Sequence, residues 1–231
     1  MTANRPRYLR QLRALLWKEA LVESRSRETV LAAVIFALLI LVIFSFAFDL
    51  RVDQAAAVAP GVLWVTFSFA GDIALGRTFA RERDRRTLDV LLLAPVDRSA
   101  IYLAKLAAVV ATMLLVEIVA VPASIGLFNL RVDGPRLALS LGLGTLGFAG
   151  VGTLLAAVTA HTRAREALLP LLLFPLQVPV ILATVKSTAA AIQVPGGEAA
   201  DAGSWLALLA GFDVLFLGLS VLLFDYAIAD D

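Results

Sequence analysis

Two carboxyl groups, Glu117 and Asp213, fall inside stretches that are otherwise apolar, and a third, Asp72, closes another such stretch. An acid inside a membrane span costs ~2.5–3.5 kcal/mol even on insertion scales, so each needs a reason. Two acids facing one cavity could serve an intramembrane hydrolase. Alternatively, each could hydrogen-bond across a helix interface, or line a lateral path or a helix hinge. The chain has one histidine, His161, and no cysteine, which excludes disulfides and thiolate metal sites and leaves a histidine-ligated zinc without partners. "GLGTLGFAG" places Gly142, Gly144 and Gly147 at the spacing of the dinucleotide fingerprint. That fingerprint needs a strand before it and a soluble helix after it. Here it lies in an apolar run, where small residues let helices approach closely. There is no G-x-x-x-x-G-K-[ST], so ATP hydrolysis by this chain itself is not expected.

The elements that must carry these residues follow from hydropathy. The 231 residues are 60% hydrophobic, against about 45–50% in soluble domains. Runs of about 20 apolar residues can span a bilayer as helices. Six appear, over 30–48, 55–75, 100–128, 137–160, 167–185 and 202–224. An all-α membrane protein of six transmembrane helices is therefore expected, with an arm over 1–29, a loop over 76–99 and a tail over 225–231. The first apolar run starts behind a long charged arm and is long enough to span, so no cleavable signal is read. Glu117 lies twelve residues beyond Lys105, about 18 Å along the helix, and Asp213 eight beyond Trp205, about 12 Å. The two can share a depth, whereas Asp72, nearer an edge, can pair with Arg77. Pro170, Pro175 and Pro179 can kink or break the fifth span.

Basic residues set the orientation. Sixteen of the twenty lie in the arm, in the loop after span two or just beyond it, and in the loop after span four. This places both termini in the cytoplasm. The outer loops, about 49–54, 129–136 and 186–201, are too short for a soluble domain.

Two cytoplasmic features remain. In the arm, Tyr8, Leu9, Leu12, Leu15 and Leu16 recur at helical spacing, with Arg7, Arg10, Arg13 and Lys18 off that stripe. Such a helix would lie on the membrane surface, its arginines near anionic headgroups. Interleaved acids (Glu19, Glu23 and Glu28) point beyond anchoring to a protein partner. In the loop, "RTFARERDRRTLDVLLLAPVDRS" carries six arginines. Leu88, Leu91 and Leu92 mark one face of a short helix, which Thr87 or Asp84 can cap and Pro95 ends. Asp97 or Ser99 can then cap the third span. Mixed charges with apolar anchors suit docking to another protein.

"ERDRRTLDVLLLAPVDRSAIYLAK" resembles the loop after the second span in ABC-2-type transporter permeases. With "LLWKEALVESRSRE", "IFSFAFDL", "APGVLWVTFSFAG" and "TRAREALLPLLLFPLQVPV", the chain from about Leu15 to Lys186 resembles the haem exporter B family, the permease subunits of cytochrome c maturation ABC transporters. The outer-loop segment "STAAAIQVPGGEAADAGS" departs from the family and carries no recognisable motif. The resemblance implies a type II ABC exporter (ABC-2) permease fold, with an interfacial N-terminal helix and a cytoplasmic coupling helix, in the bacterial inner membrane. It implies that Arg81, Glu82, Arg83, Arg85, Arg86, Thr87, Leu88, Leu91, Leu92 and Pro95 contact a separate ABC ATPase subunit. Trp17, Lys18, Glu19, Glu23, Arg25, Arg27 and Glu28 would flank the same subunit.

By the same resemblance, ATP is bound by the partner and haem is handled by the complex, with no cofactor held directly by this chain. Further implied partners are a second copy of the chain, a haem-handling membrane protein, a periplasmic haem chaperone and membrane lipids, with no nucleic acid. His161 would be a tempting haem ligand, but it sits on the cytoplasmic loop with Arg163 and Arg165. An ABC-2 permease for another lipid-like or glycan substrate is the alternative.

Overall fold

The computed structural model describes residues 5–25, 27–47, 52–79, 95–160, 162, 164–192 and 202–227. These form seven helices: α1 (Arg5–Arg25), α2 (Glu28–Ala47), α3 (Val52–Thr78), α4 (Arg98–Phe128), α5 (Gly134–Thr159), α6 (Arg165–Ala191) and α7 (Ala202–Ala227), with no strand among the described residues. Six of them, α2 to α7, are long and apolar enough to cross a membrane. The count agrees with the hydropathy reading, but the ends do not all agree. α6 runs to Ala191, so Lys186 belongs to the helix and not to an outer loop. α7 runs to Ala227, into the segment read as tail. Both extensions are polar or weakly apolar turns, which hydropathy cannot separate from loop.

Local chemistry fixes several of these ends. Asp97 caps α4, its carboxylate accepting from the Ser99 backbone N–H at 3.1 Å and the Ser99 hydroxyl at 2.7 Å. α4 stops at Asn129, which adopts the left-handed conformation at φ 48°, one that Asn tolerates. Asp133 caps α5, with Pro135 in the first turn, where its missing N–H costs nothing. The three prolines of α6 all lie within one continuous helix.

Polar ties define the two ends of the bundle. At one end, Lys105 Nζ on α4 donates to the Thr78 carbonyl of α3 at 3.1 Å. At that same end Arg98 Nη1 donates to the Asp225 carbonyl of α7 at 2.8 Å. At the other, Val132 pairs with Ile192 in an isolated antiparallel bridge, and the Asp133 N–H donates to the Ala191 carbonyl at 2.8 Å. The chain therefore crosses the bundle alternately from α3 to α7.

α5 is the central helix, packed against α3, α4, α6 and α7. Its glycines make that possible. A Cβ on Gly144 would collide with Trp64 and Thr184, and one on Gly152 with Leu75. The close-packing reading of the glycine run thus holds for Gly144 and Gly147, while Gly142 has open space around it. α2 and α7 are peripheral. α2 buries Thr29, Ala33, Ala37, Leu41 and Ser45, a stripe of every fourth residue, and exposes Leu31, Ile35, Leu39 and Ile43.

Candidate functional site

Two polar centres stand out, one at the end of the bundle that carries α1 and one at mid-height. The first begins with α1, which packs on α4. Tyr8 Oη and Ser99 Oγ share a hydrogen bond at 3.2 Å, and Gln11 Nε2 donates to the Pro95 carbonyl at 2.9 Å. Further along, Glu19 Oε1 pairs with Lys105 Nζ and with Lys18 Nζ, each at 2.9 Å. The Lys105 side chain is only 3% exposed, and its ammonium also lies 5.4 Å from the centre of the Phe79 ring. A buried ammonium requires such partners. Lys105 therefore joins three elements: α1, the end of α3 and the first turns of α4. From Tyr8 to Glu19 α1 covers eleven residues while α4 covers six, from Ser99 to Lys105, so the two helices cross obliquely.

The expected single stripe on α1 is split. Tyr8, Leu12 and Leu15 pack on the bundle, but Leu9 is 63% exposed and Leu16 37%. At 100° per residue Leu9 and Leu16 sit on the flank of the stripe, and α4 covers only its centre. Of the arm residues assigned to a partner ATPase, Trp17, Arg27 and Glu28 are exposed, whereas Glu19 is turned to Lys105. Lys18 shares Glu19, and Glu23 is partly buried. The Arg25 side chain lies outside the described residues, as do Arg81, Glu82, Arg83, Arg85, Arg86, Thr87, Leu88, Leu91 and Leu92. Pro95, at the loop's exit, is described and exposed, and its carbonyl is the one Gln11 holds. His161 and Arg163 are also outside the described residues.

The second centre surrounds the midpoint of α5. Glu117 on α4 is 5% exposed and accepts a short hydrogen bond from the Thr145 hydroxyl. Asp213 on α7 is 4% exposed, and neither carboxylate oxygen has a hydrogen-bond partner among the described residues. Its room comes from Gly147, where a Cβ would collide with Asp213 Oδ1. Thr145 and Gly147 are two residues apart, about 3 Å along the axis and about 200° around it. The two acids thus flank α5 at one level, on opposite sides, rather than facing one cavity. That geometry does not make a carboxyl pair for hydrolysis. Asp72 does not join them, nor does it pair with Arg77: its Oδ1 is buried without a partner.

Three contacts here were not foreseeable as functional from residue type alone. Gln177 donates to the Phe148 carbonyl at 2.9 Å, Tyr102 to the Gly150 carbonyl at 3.0 Å, and Trp64 Nε1 to Thr188 Oγ1 at 2.9 Å. Gln177 carried a signal, being an amide in the otherwise apolar run between Pro175 and Pro179. Lys105 carried one too, because a lysine inside an apolar stretch demands an acid. The sequence does not say that the acid is Glu19.

A family model described as CcmB protein matches residues 10–230 of the chain. Heme exporter protein B of Rhodobacter capsulatus is 30% identical over 172 residues, 74% of this chain and 79% of that protein. The protein of the same name from Paracoccus denitrificans is 29% identical over 213 residues, 90% of this chain and 94% of that one. That from Haemophilus influenzae is 28% identical over 200 residues, covering 83% and 88%. The family match extends beyond the loop motif and takes in the helices that carry both polar centres.

Proposed function

Because the chain belongs to the CcmB protein family, the membrane permease components of cytochrome c maturation ABC transporters, we propose that it receives the stroke of its ATPase through loop 76–99 and passes it along α4. It is a multi-pass membrane protein, and ATP hydrolysis belongs to a separate subunit. The observation that carries the coupling reading is the Lys105 junction. Lys105 reaches Thr78 at the loop's entry and Glu19 on the arm, and Gln11 of the same arm holds Pro95 at the loop's exit. A push on the segment between Thr78 and Pro95 would arrive on one stiff assembly. α4 is an unbroken 31-residue helix, so that push would reach Glu117 and, through Thr145, the centre of the bundle.

In this reading both termini face the bacterial cytoplasm, two copies pair in an ABC-2 (type II exporter) arrangement, and the ATPase docks on Arg81–Leu92. Trp17, Lys18, Glu23, Arg25, Arg27 and Glu28 lie near that docking surface. A haem-handling membrane protein and a periplasmic haem chaperone complete the complex. We favour ATP-driven release of the haem-loaded chaperone over passage of haem through this chain. A haem path would call for axial ligands, and the sequence offers one histidine and no cysteine.

Leu91→Asp with Leu92→Asp is the test. Both variants should insert normally, since neither residue lies in a span. An unpartnered charge in a docking cleft costs several kcal/mol, enough to abolish a micromolar complex. The ATPase should no longer co-purify, and cytochrome c production should fall with it. Recovery of the ATPase at wild-type yield would defeat the reading.

A further inference from the structure

We propose that the outward face of α1 is a binding site for the phosphate headgroup of an anionic phospholipid. Helix α1 is pinned at the starts of two spans: it ends at Arg25, three residues before α2 begins, and its Tyr8 bonds Ser99 in the first turn of α4. A helix so tethered lies at the membrane boundary. One side of it is taken by the bundle, through Tyr8, Leu12 and Leu15. The opposite side exposes Trp17, at 67%, and Leu21, and the flank beside them exposes Leu9 and Leu16. Arg10 and Arg13 stand among them, and neither guanidinium makes an ion pair or a hydrogen bond among the described residues. Together Arg10, Arg13, Ala14, Leu16, Trp17 and Ala20 line an open depression of about 650 Å³.

The chemistry of that surface selects its occupant. Two guanidiniums within one turn match a phosphodiester, which accepts their N–H donors bidentately. Tryptophan favours the level of the headgroups, and the leucines need acyl chain rather than water. Of the helix's two acids, Glu19 is turned to the bundle and held by Lys105, and Glu23, four residues on, is partly buried on the side of Glu19 rather than that of Arg10 and Arg13. A free phosphate would satisfy the arginines but not the leucines, and an acidic protein surface would leave the same leucines wet.

The inference rests on the membrane reading of the chain but not on which subunit docks at loop 76–99. It can be tested on the full-length protein in phosphatidylcholine nanodiscs, with and without the ATPase subunit. Either brominated phosphatidylglycerol or brominated phosphatidylcholine is included as a quencher. Trp17 fluorescence is isolated by subtracting the signal of the Trp17→Phe protein. Quenching by phosphatidylglycerol should exceed that by phosphatidylcholine, and Arg10→Gln and Arg13→Gln should each weaken the apparent phosphatidylglycerol affinity about fivefold. Millimolar inorganic phosphate should not relieve the quenching. No Trp17-specific quenching, equal quenching by both lipids, or relief by phosphate would each overturn the site. ATPase co-purification from the Arg10→Gln/Arg13→Gln protein separates the two readings. If the subunit is lost while lipid quenching is unchanged, the face is an ATPase contact and the lipid site is wrong. If the subunit is retained while the lipid preference is lost, the lipid site stands by itself.

Discussion

Glu117 takes its meaning from a single hydroxyl, that of Thr145 on the neighbouring helix. Interhelical hydrogen bonds in membranes are worth about 0.6 kcal/mol on average and up to ~1.7. Glu117→Gln keeps an acceptor for Thr145 at the same place, whereas Glu117→Leu strands a buried hydroxyl. If the acid is structural, the Gln variant should unfold within a degree or two of wild type. The Leu variant should lose about 1–2 kcal/mol of stability in a thermal unfolding assay. If the acid works as a charge, Gln should be as stable as wild type yet fail to support cytochrome c production. The structure favours the first outcome, because no basic side chain is placed near Glu117 among the hydrogen bonds and ion pairs of the described residues. Sequence alone marked Glu117 and Asp213 as the deep acids, since an acid in an apolar run is conspicuous. It could not say that they would sit on opposite sides of α5, at Thr145 and Gly147. That depends on which helices neighbour α5, and the partners are 28 and 66 residues away. For the same reason Asp72 departs from expectation: Arg77, five residues on, is the partner the sequence offers, and the fold does not use it.

At the scale of elements, α1 was legible as an amphipathic helix but not as one whose apolar stripe packs on α4. Its spacing shows an apolar stripe and cannot tell membrane from protein as the thing that covers it. The decisive contact is the Glu19–Lys105 pair, and it can be tested directly because the chain has no cysteine of its own. Cysteines placed at Tyr8 and Ser99, whose side chains touch, should be joined quickly by a short bifunctional thiol reagent. Glu19→Lys puts two ammonium groups against each other where one is 3% exposed, and breaking a buried pair typically costs about 3–5 kcal/mol. The cross-link should then form slowly, as α1 lifts from α4. Lys105→Glu should act alike, and the exchanged pair, Glu19→Lys with Lys105→Glu, should restore the fast reaction. If the single variants cross-link as fast as wild type, the pair does not hold the arm and α4 does not take its push from it. The prolines of α6 are a contrast. Sequence offered a kink or a break, and the helix continues through all three to Ala191. α3, α5 and α7 pack along it and supply the support a proline-bearing helix needs.

For the whole molecule, the alternation of helices and the distribution of charge are independent observations that meet. The Val132–Ile192 bridge puts the α4–α5 turn and the end of α6 at one end of the bundle, while Thr78, Arg98 and Asp225 gather at the other. The second end also carries α1 and the start of α2, so an even number of crossings separates the arm from the tail. Sixteen of the twenty basic residues belong to that end by sequence, and basic loops stay in the cytoplasm. The prediction is therefore specific to position. In a chain free of native cysteine, Arg131→Cys, exposed in the α4–α5 turn, should react in intact cells with a thiol reagent that cannot cross the inner membrane. Cysteines at Thr2 and Asp231 should react only after the cells are opened. Labelling at Asp231 but not at Thr2 in intact cells would make the number of crossings odd and remove one of the six spans. Labelling at Thr2 and Asp231, with Arg131→Cys protected, would keep the bundle and turn it over. In that case the arginine loop could not meet a cytoplasmic ATPase, and the coupling proposal would fall with the orientation.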